Sequence, residues 1–307
     1  MAEDSADISS IIRVADLVKR FDDKVVLDGV NLGVHAGETM VIMGGSGSGK
    51  STLLRCMIGS IRPEKGSIEL FGRDITCMAE DQINEVRKKF GILFQSGALF
   101  NSMSLRQNVA LPLEEHTDLP INVIDIMVKI KLELVGLREH AEKFPSQISG
   151  GMKKRAGLAR ALALDPKILF YDEPTAGLDP VTSAEIDQLI IKLTKRLGVT
   201  SVVVTHEMDS AFTIADRMAI LDKGRLLIVE EREYYDSLRR CEGGFWSPDA
   251  EAKSRLLTDD EKLIRQFLRG DPEGPITDRK QVTNYADDLL GESGPQVTPR
   301  ASVQATR

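Results

Sequence analysis

The residues Gly44-Gly45-Ser46-Gly47-Ser48-Gly49-Lys50-Ser51, followed by Thr52, fit the spacing G-x-x-x-x-G-K-[ST]. Glycines let the backbone curl until successive N–H groups point inward at phosphate oxygens. A helix opening at Lys50 adds its positive N-terminal end to the same anion. Lys50 then reaches the β- and γ-phosphates, and the Ser51 hydroxyl is a ligand for Mg²⁺. A second group lies at Ile168-Leu169-Phe170-Tyr171-Asp172-Glu173. Its four apolar residues bury a strand, and Asp172 emerges at the strand's end to hold Mg²⁺ directly or through water. Glu173 follows as a general base for an attacking water. Asp-Glu after a strand is common in ordinary loops; the matched phosphate loop is what gives this pair its meaning.

Three further pieces sit at the ends of predicted elements. Ser149-Gly150-Gly151-Met152 precedes a helix with apolar positions Ala156, Leu158, Ala159, Leu162 and Ala163. Ser149 is a helix N-cap there. Its hydroxyl, the glycine amides and the helix end also make a second phosphate grip. One chain already holds its nucleotide through the first loop, so a second grip points to binding in trans. Gln95, after Gly91-Ile92-Leu93-Phe94, is a candidate switch beside the γ-phosphate and a third candidate Mg²⁺ ligand. His206, after Val202-Val203-Val204-Thr205, is a candidate donor to a γ-phosphate oxygen.

The elements that must position these groups alternate. Thr39–Met43, Ile168–Tyr171 and Ser201–Thr205 read as buried strands, each flanked by helical text, which predicts an α/β domain on a mostly parallel sheet. Arg13–Val18 and Val25–Val34 read as strands joined by a turn at Asp22-Asp23, an antiparallel β region. From Ser104 to Ala163 the pattern is helical, which predicts an inserted helical subdomain. After Gly243 the character changes: Leu256–Leu268 is one amphipathic helix candidate, and from Val297 little remains to bury, so a mobile end is expected.

The whole chain of 307 residues carries 40 Lys and Arg against 47 Asp and Glu, a net charge of −7. A mildly acidic chain is a poor candidate for wrapping nucleic acid, whose affinity leans on clustered cations. The one obvious cluster, Lys153-Lys154-Arg155, reads as a solvated helix face near a nucleotide phosphate. Three cysteines without C-x-x-C spacing argue against a disulfide framework or a zinc site. The start has no apolar core of a secretory signal, and the longest uncharged stretch, Phe90–Leu105, is too polar to span a bilayer.

Taken together, the motifs from Ile11 to Glu230 resemble the nucleotide-binding subunit of ATP-binding cassette (ABC) systems. The resemblance implies a P-loop NTPase with a RecA-like core, an antiparallel β subdomain and a helical subdomain over about 96–164. These fall within a cassette over 11–243, with a partly helical extension over 244–307. It implies ATP and Mg²⁺ as ligands, Phe21 as the adenine-stacking aromatic, and Ser149–Met152 as the signature motif with Met152 where Gln is frequent. Asp179, in Ala176-Gly177-Leu178-Asp179, would speak across the dimer. A head-to-tail homodimer sandwiching two ATP molecules follows, with Lys50, Gln95, Glu173 and His206 as the catalytic set.

Phe94–Phe100, Asn108–Leu113, Glu115-His116-Thr117 and the SGGM signature further resemble the ATPase subunit of Mla-type phospholipid transporters. So do Ile264–Gly270, Gly274-Pro275 and Tyr285–Leu290. That resemblance implies an integral-membrane permease, an MCE-domain lipid-binding subunit and a small STAS-domain protein as partners. It also implies a peripheral place at the cytoplasmic face of a bacterial inner membrane. Apolar residues beside Gln95 suit a cytoplasmic segment of the permease. The competing readings are an importer or exporter of another solute, a soluble ABC ATPase acting on nucleic acid or ribosomes, and a non-catalytic switch. Single-cassette architecture and acidic charge oppose the second, and intact Glu173 and His206 oppose the third.

Overall fold

The computed structural model describes residues 10–241, 245–246 and 255–277. In chain order the elements begin with β1 (Ser10–Phe21), β2 (Lys24–His35), β3 (Thr39–Met43), α1 (Lys50–Met57), β4 (Lys65–Leu70), β5 (Arg73–Asp74), α2 (Glu80–Arg87) and β6 (Phe90–Leu93). Three helices follow, α3 (Leu105–His116), α4 (Ile121–Leu134) and α5 (Gly150–Ala161). The chain then returns to strands with β7 (Ile168–Asp172), α6 (Pro180–Leu197), β8 (Thr200–Val204), α7 (Met208–Ile214), β9 (Arg217–Asp222), β10 (Arg225–Glu231) and α8 (Arg232–Arg240). Last come β11 (Phe245–Trp246), β12 (Arg255–Leu256) and α9 (Asp259–Arg269).

The main sheet has the order β10-β9-β3-β8-β7-β6. Five of its strands run parallel, and β10 turns back antiparallel on β9. All five residues of β3 and of β8 are buried, as strands covered on both faces require. Their Met40, Ile42, Val202 and Val204 join Phe170 and Leu221 in one core with α1. Because β3, β8, β7 and β6 are consecutive neighbours, whatever follows their carboxyl ends gathers along one edge.

The antiparallel region forms a second sheet of order β2-β1-β4-β5. β1 and β2 turn at Asp22-Asp23 as expected, with Phe21 opposite Lys24. Both strands run longer than the sequence pattern indicated, and β4 and β5 add two strands it did not mark. The two sheets are tied by Arg225 to Asp28 at 2.6 Å and by Arg217 to the Gly33 carbonyl at 3.2 Å.

The helical stretch between β6 and β7 contains α3, α4 and α5 with 3-10 turns and no strand. α3 begins on a capping box, Ser104 accepting from the Gln107 N–H while the Gln107 side chain returns to the Ser104 N–H. The chain divides into two compact units, Met1–Leu256 and Leu257–Arg307. In the second, α9 starts three residues later than the apolar periodicity predicts. Thr258 caps it with Glu261, while Leu256 is taken by the β11–β12 pair. The Gln266 side chain then ties the following residues back, accepting from the Ile276 N–H at 2.7 Å. Tyr285–Leu290 and the end from Val297 lie outside the described residues, as do residues 242–244 at the expected cassette boundary. Among the described residues no helix is long and apolar enough to cross a membrane.

Candidate functional site

Gly44–Ser51 links β3 to α1. Gly44 has φ +155°, and a Cβ there would stand 2.1 Å from the Leu221 carbonyl oxygen. Only glycine lets this turn pass so close to β9. Gly49, the residue before α1, has φ +109° and leaves the helix N-terminus unobstructed by a capping side chain. Lys50 is buried, and its ammonium donates to the Gly44 and Gly45 carbonyls at 2.7 and 3.0 Å. These bonds fold the side chain back over the loop. Burial lowers the Lys50 pKa, and the carboxylates of Glu173 and Asp172 act against that shift. Gly45, Ser46, Gly47 and Ser51 are exposed around it, with Thr52 half-buried behind them.

Asp172 closes β7. Its Oδ1 is buried without a hydrogen-bond partner. Burial raises its pKa, with the neighbouring Glu173 charge adding to the rise and Arg55, Ser51 and Lys154 opposing it. An orphaned carboxylate oxygen beside a serine hydroxyl is an oxygen donor set that suits Mg²⁺. Gln95, the third expected ligand, is exposed just past the end of β6, the strand next to β7.

Glu173 takes φ +51°, uncommon for a residue with a side chain. Its N–H donates to the Val204 carbonyl at 2.9 Å, which pins it to the end of β8. His206 Nδ1 lies 2.9 Å from both carboxylate oxygens of Glu173. The sequence reading put both residues beside a γ-phosphate but did not pair them. The pairing comes from β7 and β8 being neighbours in the sheet.

Ser149 caps α5, accepting from the Met152 N–H at 3.3 Å, and is exposed with Gly150 beside it. Gly151 is buried, facing Thr182 on α6. Asp179 caps α6, accepting from the Val181 and Thr182 N–H groups and from the Thr182 hydroxyl at 2.6 Å. Those bonds lower its pKa, the Thr182 hydroxyl contributing most. The side chain is thus engaged within its own chain, a role the sequence reading did not anticipate. Phe21 ends β1 with its ring 46% exposed and the Lys19 ammonium 5.1 Å from its centroid. A cation over the ring leaves the other face for an apolar planar group.

The Lys153-Lys154-Arg155 run is not a uniformly solvated face. Lys154 is 5% exposed and its ammonium donates to the Glu173 carbonyl at 2.8 Å. Helical spacing held the signal: Gly151, Lys154 and Leu158 recur at three and four residues on the buried side of α5.

Beyond Gln95 the loop is held rigidly. Asn108, fully buried, accepts from the Phe100 N–H at 2.8 Å and donates to the Phe100, Met103 and Ser104 carbonyls. Arg160 donates to the Ala98 carbonyl at 2.7 Å. Phe94 and Phe100 remain 40% and 50% exposed on this braced loop. Phe94 borders a groove of 860 Å³ that Ile58, Phe90, Pro112 and His116 also line.

Residues 27–176 match the family model described as ABC transporter. The chain is 44% identical, over 92% of its length and 74% of the relative's, to a protein of Mycobacterium tuberculosis named probable ribonucleotide transport ATP-binding protein mkl. It is 39% identical, over 92% of its length and 98% of the relative's, to the intermembrane phospholipid transport system ATP-binding protein MlaF of Haemophilus influenzae. Its fold matches a dimeric ATP-binding cassette solved in a post-hydrolysis state with ADP and phosphate, at TM-score 0.67 and 31% identity. That match covers 72% of this chain and 98% of the other.

Proposed function

Because this chain belongs to the ABC transporter family and is one of its ATPase subunits, we propose that it is the motor of a transporter moving phospholipids between membranes. The observation that carries the lipid assignment is the end-to-end match with the phospholipid-transport relative, 98% of whose length is covered. A second reading, transport of ribonucleotides, is favoured by the name of the mycobacterial relative at 44% identity. That relative extends further beyond the match, which covers 74% of it.

In this reading the amides of Gly44–Thr52 and the Lys50 ammonium take the phosphates of ATP, and Phe21 takes the adenine. Ser51, Asp172 and Gln95 would hold Mg²⁺, which when bound neutralises charge on the β- and γ-phosphates. Glu173 accepts a proton from the attacking water as that water's oxygen bonds to the γ-phosphorus and ADP leaves. His206, 2.9 Å from both Glu173 oxygens, orients that carboxylate and stands ready to donate to a γ-phosphate oxygen. Two copies pair head to tail, Ser149, Gly150, Gly151 and Asp179 of each closing the site of the other. Binding at the γ-phosphate then biases an open–closed equilibrium, and hydrolysis releases it.

The braced loop with Phe94 and Phe100 receives a cytoplasmic segment of an integral-membrane permease. An MCE-domain lipid-binding subunit and a small STAS-domain protein complete the assembly, which sits peripherally at the cytoplasmic face of a bacterial inner membrane. The transported lipid touches none of this chain's residues.

Gentle detergent extraction followed by mass spectrometry tests the assignment. Co-purification of a multispanning permease, an MCE-domain protein and phospholipid is expected; bound ribonucleotide with a solute-binding protein would replace the lipid reading. For the chemistry, Glu173→Gln should hold unhydrolysed ATP and accumulate a closed dimer on gel filtration. Turnover of that variant at the wild-type rate would remove Glu173 from the base role.

A further inference from the structure

Glu173 is held at φ +51°, a backbone conformation that persists in a residue with a side chain only where neighbours fix it. Four groups fix this one. The Val204 carbonyl at the end of β8 takes its N–H at 2.9 Å, and His206 meets its carboxylate. Its carbonyl accepts from the Ala176 N–H at 3.3 Å and, more closely, from the Lys154 ammonium at 2.8 Å. Of the four, Lys154 comes from α5, the helix whose first turn begins at Ser149.

Lys154 is 5% exposed, so its cation is removed from water at a point where two adjacent carboxylates supply the compensating charge. Lys50 faces the same pair from α1. Lys50 bonds the carbonyls of the phosphate loop, whereas Lys154 bonds the main chain of the base.

We infer that Lys154 is a positioning residue: it fixes the Glu173 carbonyl and so aims the carboxylate, making the placement of the base follow the placement of α5. Since α5 also carries the Ser149 grip, a shift of that helix in one chain reaches the base of the same chain through one hydrogen bond. The inference rests on Glu173 being the general base. Misplacing a reacting group by 1 Å costs about 10²-fold in rate, so loss of this bond should be read in turnover.

The test compares full-length Lys154→Met, Lys154→Arg and Glu173→Ala by steady-state ATP hydrolysis, affinity for a fluorescent ATP analogue and thermal midpoint. Lys154→Met should lower kcat by roughly tenfold to a hundredfold while KM and analogue affinity stay within about twofold. Lys154→Arg keeps a cationic donor in reach and should restore kcat to within about threefold of wild type. Wild-type kcat in Lys154→Met, equal loss of kcat and analogue affinity, or failure of Lys154→Arg to recover turnover would each overturn the inference. Should Lys154→Met not fold, Lys154→Gln, one bond too short for the carbonyl, gives the same split between kcat and KM, and full turnover there overturns it too. Glu173→Ala separates the two levels. If it turns over normally the base reading fails; if it is inactive while Lys154→Met is normal, only the positioning fails.

Discussion

The tightest packing in the signature region predicts an unusual double mutant. A Cβ added to Gly151 would lie 2.3 Å from Thr182 Cγ2, about 1 Å short of ordinary contact, while the next atom, Thr182 Cβ, lies at 3.8 Å. The methyl cannot rotate away freely, because the same side chain donates its hydroxyl to Asp179 at 2.6 Å. Gly151→Ala must therefore separate α5 from α6, at about 1–3 kcal/mol for overpacking. Against this, alanine is favoured over glycine in a helix by about 1 kcal/mol. The net expectation is a loss of about 1 kcal/mol, in a range of about 0–2 kcal/mol.

Thr182→Ser deletes the offending methyl and keeps the hydroxyl on Asp179, costing about 0.5–1 kcal/mol alone. In that background Gly151→Ala should become neutral or stabilising by roughly 0.5 kcal/mol. The coupling energy is then about 1.5 kcal/mol, above the ~0.5 kcal/mol within which independent sites add. Urea unfolding of the four proteins reads it as midpoint shifts at equal slope, about 0.5 M for a slope near ~3 kcal/mol/M. Additivity within ~0.5 kcal/mol would refute the claim that Gly151 is glycine because of its own chain's Thr182.

Two further outcomes follow from the site. Lys50→Ala removes a buried cation bonded to the Gly44 and Gly45 carbonyls, so ATP affinity and hydrolysis should fall together by roughly 10–100-fold. Isothermal titration with phosphate-release kinetics checks this, and unchanged affinity would refute the phosphate-loop assignment. Asn108→Ala strips four hydrogen bonds from the Phe100–Ser104 turn and leaves the Phe100 N–H unpaired, which should cost about 2–4 kcal/mol. The same urea assay measures it, together with faster amide exchange confined to 96–104. A cost under about 1 kcal/mol would show that the turn holds without the asparagine.

The groups proposed to meet phosphate could be located in the sequence because their pattern is local. A glycine loop, a lysine and a serine at fixed spacing describe their own geometry, and the apolar runs before Asp172 and His206 marked both as strand ends. What held those groups in place was not legible, because it depends on which strands are neighbours. Glu173 meets His206 33 residues away only because β7 and β8 adjoin. Its left-handed backbone is answered by Lys154, whose identity suggested solvent. Residue type misled there, while position did not: Lys154 falls on the buried stripe of α5 between Gly151 and Leu158. Asp179 repeats the pattern, since Asp two residues before Val181 is a plain N-cap signal that a catalytic motif obscured. In both cases a polar residue near phosphate chemistry is engaged with backbone or capping groups of its own chain. Helix periodicity and capping rules, applied beside the motif roles, show which of these side chains also hold their own chain in place.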